Sequence, residues 1–364
     1  MNTLYGLWFH SISLSDALKY KLWKKCLSCK KIYESEHTFY MALGLNLEKA
    51  QKIQEAKKYF ETIKKQYEQI KAQGTEIITI EDKAYPERLK EIEDPPIVIF
   101  VKGDINLLNK PSVAIVGGRK CSDYGYGIAK ELGNGLAHTG FSVVSGMALG
   151  IDEAAHKGAL SAGNTLAVLG TGVEVCYPKQ NRDLYESIQE KGCLLSEFFP
   201  QTKPMPYQFP KRNRIISGMT LGTVVIEAAE RSGSLITAEL ALQQNREVFA
   251  VPGNVNSALS LGCNKLIQGG AKLVIELSDI LEELMPQVLD YSSNLKNNCT
   301  NNPVLLLDKV EIMVYDNLSW QPMQLVHVAQ KVNISEVQIE KILLKLEIKG
   351  FITRLPGRRY VRLN

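Results

Sequence analysis

Three cations surround an aromatic residue in the segment from Gln208 to Gly218, whose proline indicates a loop that leads into a short helix. The cations are Lys211, Arg212 and Arg214, and the ring is that of Phe209. Positive charge suits the phosphates of a nucleic acid, and each base stacked on a ring contributes roughly 1–3 kcal/mol to single-strand binding. The segment therefore predicts a contact with single-stranded nucleic acid. The alternative is that the ring belongs to the core and the arginines pair with carboxylates.

Glycine-containing turns follow four apolar runs of the chain. Glycine lets a backbone N–H group approach an anion closely, and the N-terminus of a following helix adds a favourable dipole. One glycine after a strand could simply end that strand. Four such turns in one domain instead favour a phosphate-binding rim. The turns are Gly117-Gly118-Arg119, Ser145-Gly146, Gly170-Thr171-Gly172 and Pro252-Gly253.

The motifs of common nucleotide, nucleophile and metal chemistry do not occur in the sequence. Gly117-Gly118 does not continue as G-x-G-x-x-G, and no G-x-x-x-x-G-K-[ST] occurs, so neither an NAD site nor a P-loop is predicted. No G-x-S-x-G nucleophile elbow is present. His156 and the pair Cys26 and Cys29 lack the further ligands that a zinc site needs. We therefore expect no catalysis, no cofactor and no metal.

The elements that position these residues are short apolar strands that alternate with helical stretches. The runs are apolar throughout, as expected for parallel strands covered by helices on both faces. This pattern predicts an α/β fold with an extended Rossmann-like, doubly wound, mostly parallel sheet. Ligands of such sheets bind beyond the carboxyl ends of the strands, where the glycine turns lie. The predicted strands are residues 112–116, 141–144, 165–169, 223–226 and 248–251.

The length of 364 residues predicts two or three domains. Residues 1–75 show helical periodicity and predict a small helical domain, and residues 76–290 hold the predicted sheet. Residues 291–303 are polar and rich in asparagine, which predicts a linker. Residues 304–364 show three helical stretches followed by two short strands, the order of a winged helix.

Composition and charge favour a soluble cytoplasmic protein. The sequence has 43 Lys and Arg against 39 Asp and Glu, a formal net charge of +4, and 45% hydrophobic residues. No apolar stretch approaches the roughly 18 residues of a membrane helix, and the first ten residues do not resemble a signal peptide. The seven cysteines have no framework spacing, which favours free thiols.

Two further basic segments leave alternatives open. The first has no acidic residue between its lysines, and it could contact DNA or form a solvated face. The second lies on the predicted C-terminal hairpin, where it could contact duplex DNA or belong to a protein-binding winged helix. The residues are Lys19, Lys21, Lys24, Lys25, Lys30 and Lys31 in the first segment, and Arg354, Arg358, Arg359 and Arg362 in the second.

Several separated motifs closely resemble those of the DprA family of DNA-processing proteins, also called Smf. The resemblance covers residues 76–285, and the helical front and winged-helix tail are similar to those of longer members. One departure is Gly118, where the family often has serine, which puts a hydroxyl contact in doubt. The motifs are Tyr85-Pro86-x-x-Leu89, Pro95-Pro96, Ser145-Gly-Met-Ala-Leu-Gly-Ile-Asp152, Ala155-His156, Gly170-Thr-Gly172, Tyr177-Pro178, Arg212-Asn-Arg-Ile-Ile-Ser-Gly218, Ser232-Gly-Ser-Leu-Ile-Thr-Ala238 and Val251-Pro-Gly253.

The resemblance implies a bacterial, non-enzymatic recombination mediator. Such a protein would bind and protect incoming single-stranded DNA, form a homodimer through the Rossmann domain, and load RecA during natural transformation. The turns and Arg119 would hold phosphates, and Phe209 would stack a base. The implied DNA-binding residues are Gly117, Gly118, Arg119, Ser145, Gly146, Gly170, Thr171, Gly172, Phe209, Lys211, Arg212, Asn213, Arg214, Ser217 and Gly218.

The rival hypothesis is a nucleotide-processing enzyme. The stretch from Gly218 to Glu227 is similar to the G-G-x-G-T-x-x-E signature of the LOG-type nucleoside-monophosphate phosphoribohydrolases. Met219 interrupts the glycine pair, and extra residues precede Gly222, so the match is partial. Glu227 could equally be a carboxylate that favours the N-terminus of a helix.

Overall fold

The computed structural model describes residues 2–296, 309–319, 323–332, 334–348, 351–355 and 357–362. The chain divides into two compact units, Met1–Ile280 and Leu281–Asn364. The predicted helical segment 1–75 and nearly all of the predicted sheet segment 76–290 lie together in the first unit. The predicted domain boundaries at 75 and 290 stay predictions.

Short helices form the front of the first unit and bury an aromatic cluster. Trp8 and Tyr33 meet edge to face at 5.0 Å, and the indole Nε1 of Trp8 donates a 3.0 Å hydrogen bond to the Ala56 carbonyl. The side chains of Ser28 and Asn46 cap two of the helices by accepting from backbone N–H groups three residues on. The helices are α1 (Asn2–Ser11), α2 (Asp16–Cys26), α3 (Cys29–Glu34), α4 (His37–Ala42), α5 (Leu47–Ala56) and α6 (Phe60–Ala72).

A largely parallel sheet forms the centre of the first unit. Its strands are β1 (Glu76–Thr79), β2 (Val98–Gly103), β3 (Ser112–Val116), β4 (Ser142–Ser145), β5 (Thr165–Val168), β6 (Cys193–Ser196), β7 (Gly222–Val225), β8 (Glu247–Ala250) and β9 (Lys272–Leu273). Their order is β1-β2-β6-β5-β4-β3-β7-β8-β9. The β1–β2 and β2–β6 pairs are antiparallel, and the other neighbours are parallel. The predicted mostly parallel, doubly wound α/β fold is confirmed.

The apolar runs located the parallel strands to within one residue at each end, at β3, β4, β5, β7 and β8. Sequence reasoning missed β1, β2, β6 and β9. Strand β6 has four residues and β9 has two, so neither produces a pattern that stands out from its surroundings. Strands β1 and β2 form the antiparallel side of the sheet, outside the repeated strand–helix pattern on which the prediction rested.

Helices connect the strands of this sheet. Helices α8 (Asp123–His138) and α9 (Ile151–Ala159) pack against each other and against β4. The helices are α7 (Glu87–Lys90), α8 (Asp123–His138), α9 (Ile151–Ala159), α10 (Arg182–Lys191), α11 (Gln208–Gly218), α12 (Gly233–Gln243) and α13 (Leu261–Gln268). Helix α11 covers the entire basic and aromatic segment, so the predicted loop at its start is wrong. Proline is well tolerated in the first turn of a helix, where its missing N–H group is not needed.

The strand order reverses between β3 and β7. From β3 the chain proceeds through β4 and β5 to β6 on one side, whereas β7, β8 and β9 follow on the other side. At such a topological switch point the connections leave in opposite directions and open a crevice beyond the carboxyl ends of the strands. The fold therefore places the turns after β3 and β7 at the mouth of this crevice.

The second unit has its own core and a small antiparallel sheet. Val314, Val328, Ile339 and Leu343 are fully buried in that core. The strands pair in the order β10-β12-β11, and this order of helices and strands agrees with the predicted winged helix. The elements are α15 (Lys309–Asn317), β10 (Met323–Gln324), α16 (Leu325–Val332), α17 (Glu336–Ile348), β11 (Ile352–Leu355) and β12 (Arg359–Arg362).

The predicted linker begins inside a helix. Helix α14 spans Leu277–Lys296 and so includes residues 291–296. Those residues contain neither glycine nor proline, and extending an existing helix costs far less than starting one. The prediction of irregular backbone is therefore wrong for 291–296, and residues 297–303 lie outside the described residues.

The contact between α8 and α9 requires glycine at two positions, whereas a third glycine of α8 lies in open space. A Cβ atom at Gly133 would lie 2.5 Å from the Ala155 carbonyl oxygen, and one at Gly158 would clash with the Lys130 carbonyl oxygen. A Cβ atom at Gly127, also in α8, would meet no atom within 4 Å. The helices can approach this closely only because two of their facing residues have no side chain.

We expect Gly158→Ala to lower the free energy of unfolding by about 1–3 kcal/mol, because the added methyl group forces two rigid backbones apart. Gly127→Ala is the matched control. It should raise the free energy of unfolding by about 0.5–1 kcal/mol through its better helix propensity. Denaturant unfolding followed by circular dichroism measures both. Equal effects of the two substitutions would contradict the close contact.

Candidate nucleic-acid interface

A cavity of about 710 Å³ opens at the switch point of the sheet. Its walls come from the end of β3, the turn before α9, the segment around Tyr177, helix α11 and the beginning of α12. Among the predicted DNA-binding residues, those that line the cavity are Gly117, Arg119, Phe209, Arg212 and Asn213. The structure therefore brings five of the predicted residues, from two distant segments, into one site.

The floor of the cavity is held together by the buried guanidinium of Arg212. Its Nη1 donates to the carbonyl of Gly146 at 2.8 Å and to the carbonyl of Val168, and its Nε donates to Oδ1 of Asn213 at 3.2 Å. These bonds connect α11 to the carboxyl ends of β4 and β5. Burial lowers the pKa of Arg212 to about 10, so the side chain stays charged at neutral pH and makes the floor positive.

Asp152 is the acidic counterpart of Arg212 in the cavity. Its Oδ2 accepts hydrogen bonds from the backbone N–H groups of Gly146 at 3.1 Å and Ala148 at 3.3 Å. Burial raises the pKa of the Asp152 carboxyl, although the Arg212 charge opposes this shift. Asp152 therefore holds the turn between β4 and α9 against the beginning of α9.

Arg119, Phe209 and Tyr177 form the outer wall of the cavity. The ring centroids of Tyr177 and Phe209 are 5.4 Å apart, and the guanidinium carbon of Arg119 lies 5.9 Å from the Phe209 centroid. Tyr177 is 42% exposed and Arg119 is exposed, whereas Phe209 is half-buried. A Cβ atom on Gly170 would lie 2.7 Å from the Phe209 ring, so this ring rests directly on the backbone. Phe209 thus supports Arg119 and Tyr177 in addition to facing the cavity.

The N-terminus of α12 supplies the opposite wall. Ser232 caps this helix, and its Oγ accepts a hydrogen bond from the Ser234 N–H group at 3.3 Å. A Cβ atom on Gly233 would meet no atom within 4 Å, so the first turn of the helix faces open space. Backbone N–H groups at a helix N-terminus attract anions. This wall can therefore hold a phosphate group.

The prediction is that backbone amides of the glycine turns are free to bind phosphate. In the structure, several of these amides are already hydrogen-bonded. The N–H groups of three glycines already have partners: Gly118 donates to Glu227, Gly146 to Asp152, and Gly172 to Thr202. Gly146 and Gly170 are covered by the side chains of Arg212 and Phe209. At these two positions the residue is glycine because α11 packs on the turn. The groups that remain to attract an anion in the cavity are therefore side chains and the N-terminus of α12.

The other predicted residues lie away from the cavity lining. The hydroxyl of Ser145 donates to the Ile115 carbonyl at 2.6 Å, and that of Thr171 donates to the Val175 carbonyl at 2.8 Å. Ser217 bonds within α11, and a Cβ atom on Gly218 would meet Ile92. Lys211 and Arg214 form ion pairs with Asp16 and Glu197 on the other side of α11.

Sequence reasoning assigned no role to several cavity residues. The Ser-Gly-Ser sequence after β7 is a helix-start signal, because serine is a preferred N-cap and its neighbours' N–H groups need partners. This signal, placed after a strand at the switch point, could have located the α12 wall. No comparable local signal identifies Tyr177. The cavity residues without a predicted role include Ala148, Asp152, Tyr177, Ser232, Ser234, Ile236 and Thr237.

The described part of the chain offers neither a metal site nor a membrane span. Among those residues, no three His, Cys, Asp or Glu side chains are grouped so that they could hold a metal ion. None of the helices formed by those residues combines the length and apolar character needed to cross a bilayer.

Cations, aromatic rings and a helix N-terminus around one crevice of a doubly wound sheet define a Rossmann-type protein that binds nucleotides or nucleic acids. Comparison with known families makes this assignment specific. The model of the family described as "DNA recombination-mediator protein A" matches residues 76–285, and the chain belongs to this family.

Known proteins similar to the chain are described as DNA processing protein A or as Smf. The crystal structure of DNA processing protein A from Streptococcus pneumoniae has a TM-score of 0.66 and 38% identity, covering 78% of this chain and 98% of that one. Protein Smf from Escherichia coli is 39% identical over 298 residues, 79% of this chain and 77% of its own length. A Helicobacter pylori structure, described by its single-stranded DNA binding mode, has a TM-score of 0.53 and 28% identity, covering 58% of this chain and 97% of that one.

We expect Arg212→Met to lower the free energy of unfolding by about 2–4 kcal/mol, because two buried carbonyl groups would lose their donor. Arg119→Met is the control at the same cavity. It should change the free energy of unfolding by at most about 1 kcal/mol, since its exposed guanidinium loses only a contact with Phe209. Denaturant titration of both variants measures the difference. A stable Arg212→Met protein would show that this arginine does not hold the cavity floor.

Proposed function

We propose that the chain binds single-stranded DNA in this cavity and acts as a recombination mediator. The observation that carries the proposal is the convergence of Arg119, the Tyr177–Phe209 ring pair and the α12 N-terminus on one crevice. Rings offer every base a stacking face, and the cations and helix dipole favour the phosphates. Membership of the recombination-mediator family and the described DNA binding of the Helicobacter relative support the same function.

The proposed stacking surface is the exposed ring of Tyr177. Phe209 is half-buried, with Gly170 beneath its ring and Arg119 and Tyr177 beside it. Tyr177 is 42% exposed and lines the cavity. A base in the cavity would stack on Tyr177, with Phe209 as the support behind it.

Family membership supports the wider pathway that we propose. The proposed mediator would protect incoming DNA and load RecA onto it during natural transformation, in the cytoplasm and as a homodimer through the sheet-bearing unit. The second unit would contact duplex DNA or protein. The support for these steps is the family to which the chain belongs.

The residues of the rival enzyme hypothesis have structural roles in this fold. Gly222 and Thr223 lie in strand β7. The Glu227 carboxylate accepts hydrogen bonds from the Ser122 N–H group at 2.8 Å and the Ser122 hydroxyl at 2.5 Å, at the beginning of α8. Glu227 is absent from the cavity lining. No geometry among these described residues favours a phosphoribohydrolase.

We expect Tyr177→Ala to weaken binding of a fluorescent oligo-dT by about 1–3 kcal/mol, the contribution of one stacked base. Tyr59→Ala is the control, since Tyr59 is 64% exposed but lies among the front helices. Fluorescence anisotropy measures both dissociation constants. Unchanged binding by Tyr177→Ala would remove the stacking assignment.

Arg119→Met should reduce the salt dependence of single-strand binding. Each phosphate contact contributes about 0.7 to the slope of log K against log salt concentration for a single strand. Loss of one contact should therefore lower the slope by about 0.7. Arg182→Met is the control, because Arg182 is 76% exposed and pairs with Glu186 outside the cavity.

Tight binding of a nucleoside monophosphate, with weak oligonucleotide binding, would instead favour the enzyme hypothesis.

A further inference from the structure

Helix α11 carries functional side chains on two sides. Phe209, Arg212 and Asn213 line the cavity proposed to bind DNA, which is called the DNA cavity. Lys211 and Arg214 make their ion pairs on the other side of the helix. Successive residues of an α-helix are about 100° apart, so positions 209, 212 and 213 share one face, and 211 and 214 share another. Whatever holds the second face therefore also sets the orientation of the first.

The second face is held by carboxylates from distant parts of the chain. The ammonium of Lys211 lies 2.6 Å from Oδ2 of Asp16 and 3.4 Å from Oε2 of Glu197. The Nη2 of Arg214 lies 2.6 Å from Oε2 of Glu197 and 3.3 Å from Oδ2 of Asp16. Asp94 completes the cluster, with its Oδ2 3.1 Å from the Arg214 Nε. Two cations of one helix are thus enclosed by three acids.

The charged groups of this cluster are largely buried, so their positions are closely constrained. The side chains of Arg214 and Glu197 are 6% and 2% exposed, and that of Asp16 is 13% exposed. Burial raises the pKa of the Glu197 carboxyl, because the charged form has left water. Removing one partner of a buried ion pair leaves an uncompensated charge, so the remaining groups must move to find new partners. The orientation of α11 is therefore sensitive to each carboxylate.

Asp16 is the member of the cluster that comes from the front helices. It lies in the first turn of α2 and bridges Lys211 and Arg214 of α11. Asp16 lines a neighbouring cavity with His10 and Lys19, and it is absent from the lining of the DNA cavity. Asp16 thus connects the front helices to the face of α11 that is turned away from the cavity.

We infer that Asp16 is a positioning residue for the DNA cavity: through Lys211 and Arg214 it fixes α11, and with it the placement of Phe209, Arg212 and Asn213. This inference rests on the proposed single-strand binding. It gives the front helices a role in DNA binding that requires no contact between them and DNA. It also assigns Lys211 to the support of α11 and not to a phosphate.

The test is Asp16→Asn, which keeps the shape of the side chain and removes its charge. We expect a loss of single-strand affinity of about two- to thirtyfold, the range for residues that modulate coupling without contacting a ligand. Asp16→Glu should restore most of the affinity, because its carboxylate can still reach the long Lys211 side chain. Equal affinity of wild type and Asp16→Asn would overturn the inference, as would an equal loss in Asp16→Glu.

The matched control is Glu48→Gln. Glu48 is also a first-turn acid of a front helix and pairs with Lys52 at 2.7 Å, away from α11. Its neutralisation should leave single-strand affinity unchanged. An equal loss in Glu48→Gln would assign the effect to the general charge of the front helices and would overturn the inference.

Lys211→Met separates positioning from direct DNA contact. If Lys211 acts through its ion pair with Asp16, then Asp16→Asn and Lys211→Met should each weaken binding, and the double variant should lose no more than the larger single loss. Additive losses would mean that Lys211 contacts DNA itself, which would overturn this assignment. Because Lys211 is 37% exposed, its replacement keeps the experiment informative if Asp16→Asn fails to fold.

Amide hydrogen exchange provides a readout without DNA. The α11 amides should exchange faster in Asp16→Asn than in wild type and in Glu48→Gln, because the helix has lost a support. Failure of the wild type to bind single strands would refute the proposed function, while the exchange result would still decide whether Asp16 holds α11. Unchanged α11 exchange in Asp16→Asn would overturn the inference.

Discussion

The packing of α11 across the ends of β4 and β5 is the constraint on which the cavity depends. Arg212 makes this packing possible because its guanidinium donates to the carbonyls of both Gly146 and Val168. A buried cation is costly unless it is hydrogen-bonded and balanced by charge. The bonds with these carbonyls and the nearby Asp152 carboxylate meet that requirement. The same charge makes the cavity floor attractive to an anion.

The glycines of the strand-end turns follow from this packing. Side chains of α11 lie directly on Gly146 and Gly170, and Ile151 lies on Gly117, so a Cβ atom at any of these positions would clash. Small residues at the turns let α11 and α9 approach the sheet, and the cavity forms between them. Arg119 and the α12 N-terminus then provide the positive groups that face the opening.

The side chains of α11 form two groups, one that faces the crevice and one that holds the helix in place. A helix can present one set of side chains to a ligand and use another to hold its place, provided that the two sets differ in angle around its axis. Here the cations at positions 211 and 214 face carboxylates, while the side chains at 209, 212 and 213 face the crevice. Function at the crevice thus depends on residues distant in sequence, Asp16 and Glu197 among them.

The sequence by itself determined the parallel strands and the doubly wound fold, because apolar runs and glycine turns are local signals. The resemblance of its separated motifs indicated the family. The sequence also identified Arg119, Phe209 and Arg212 as members of the site. Only the tertiary structure separated Lys211 and Arg214 from that site, since a basic segment carries no information about which carboxylates will face it. Tyr177 and the α12 N-terminus joined the cavity for a related reason. They line one cavity with Phe209 because of the order of the strands, which local sequence patterns do not specify.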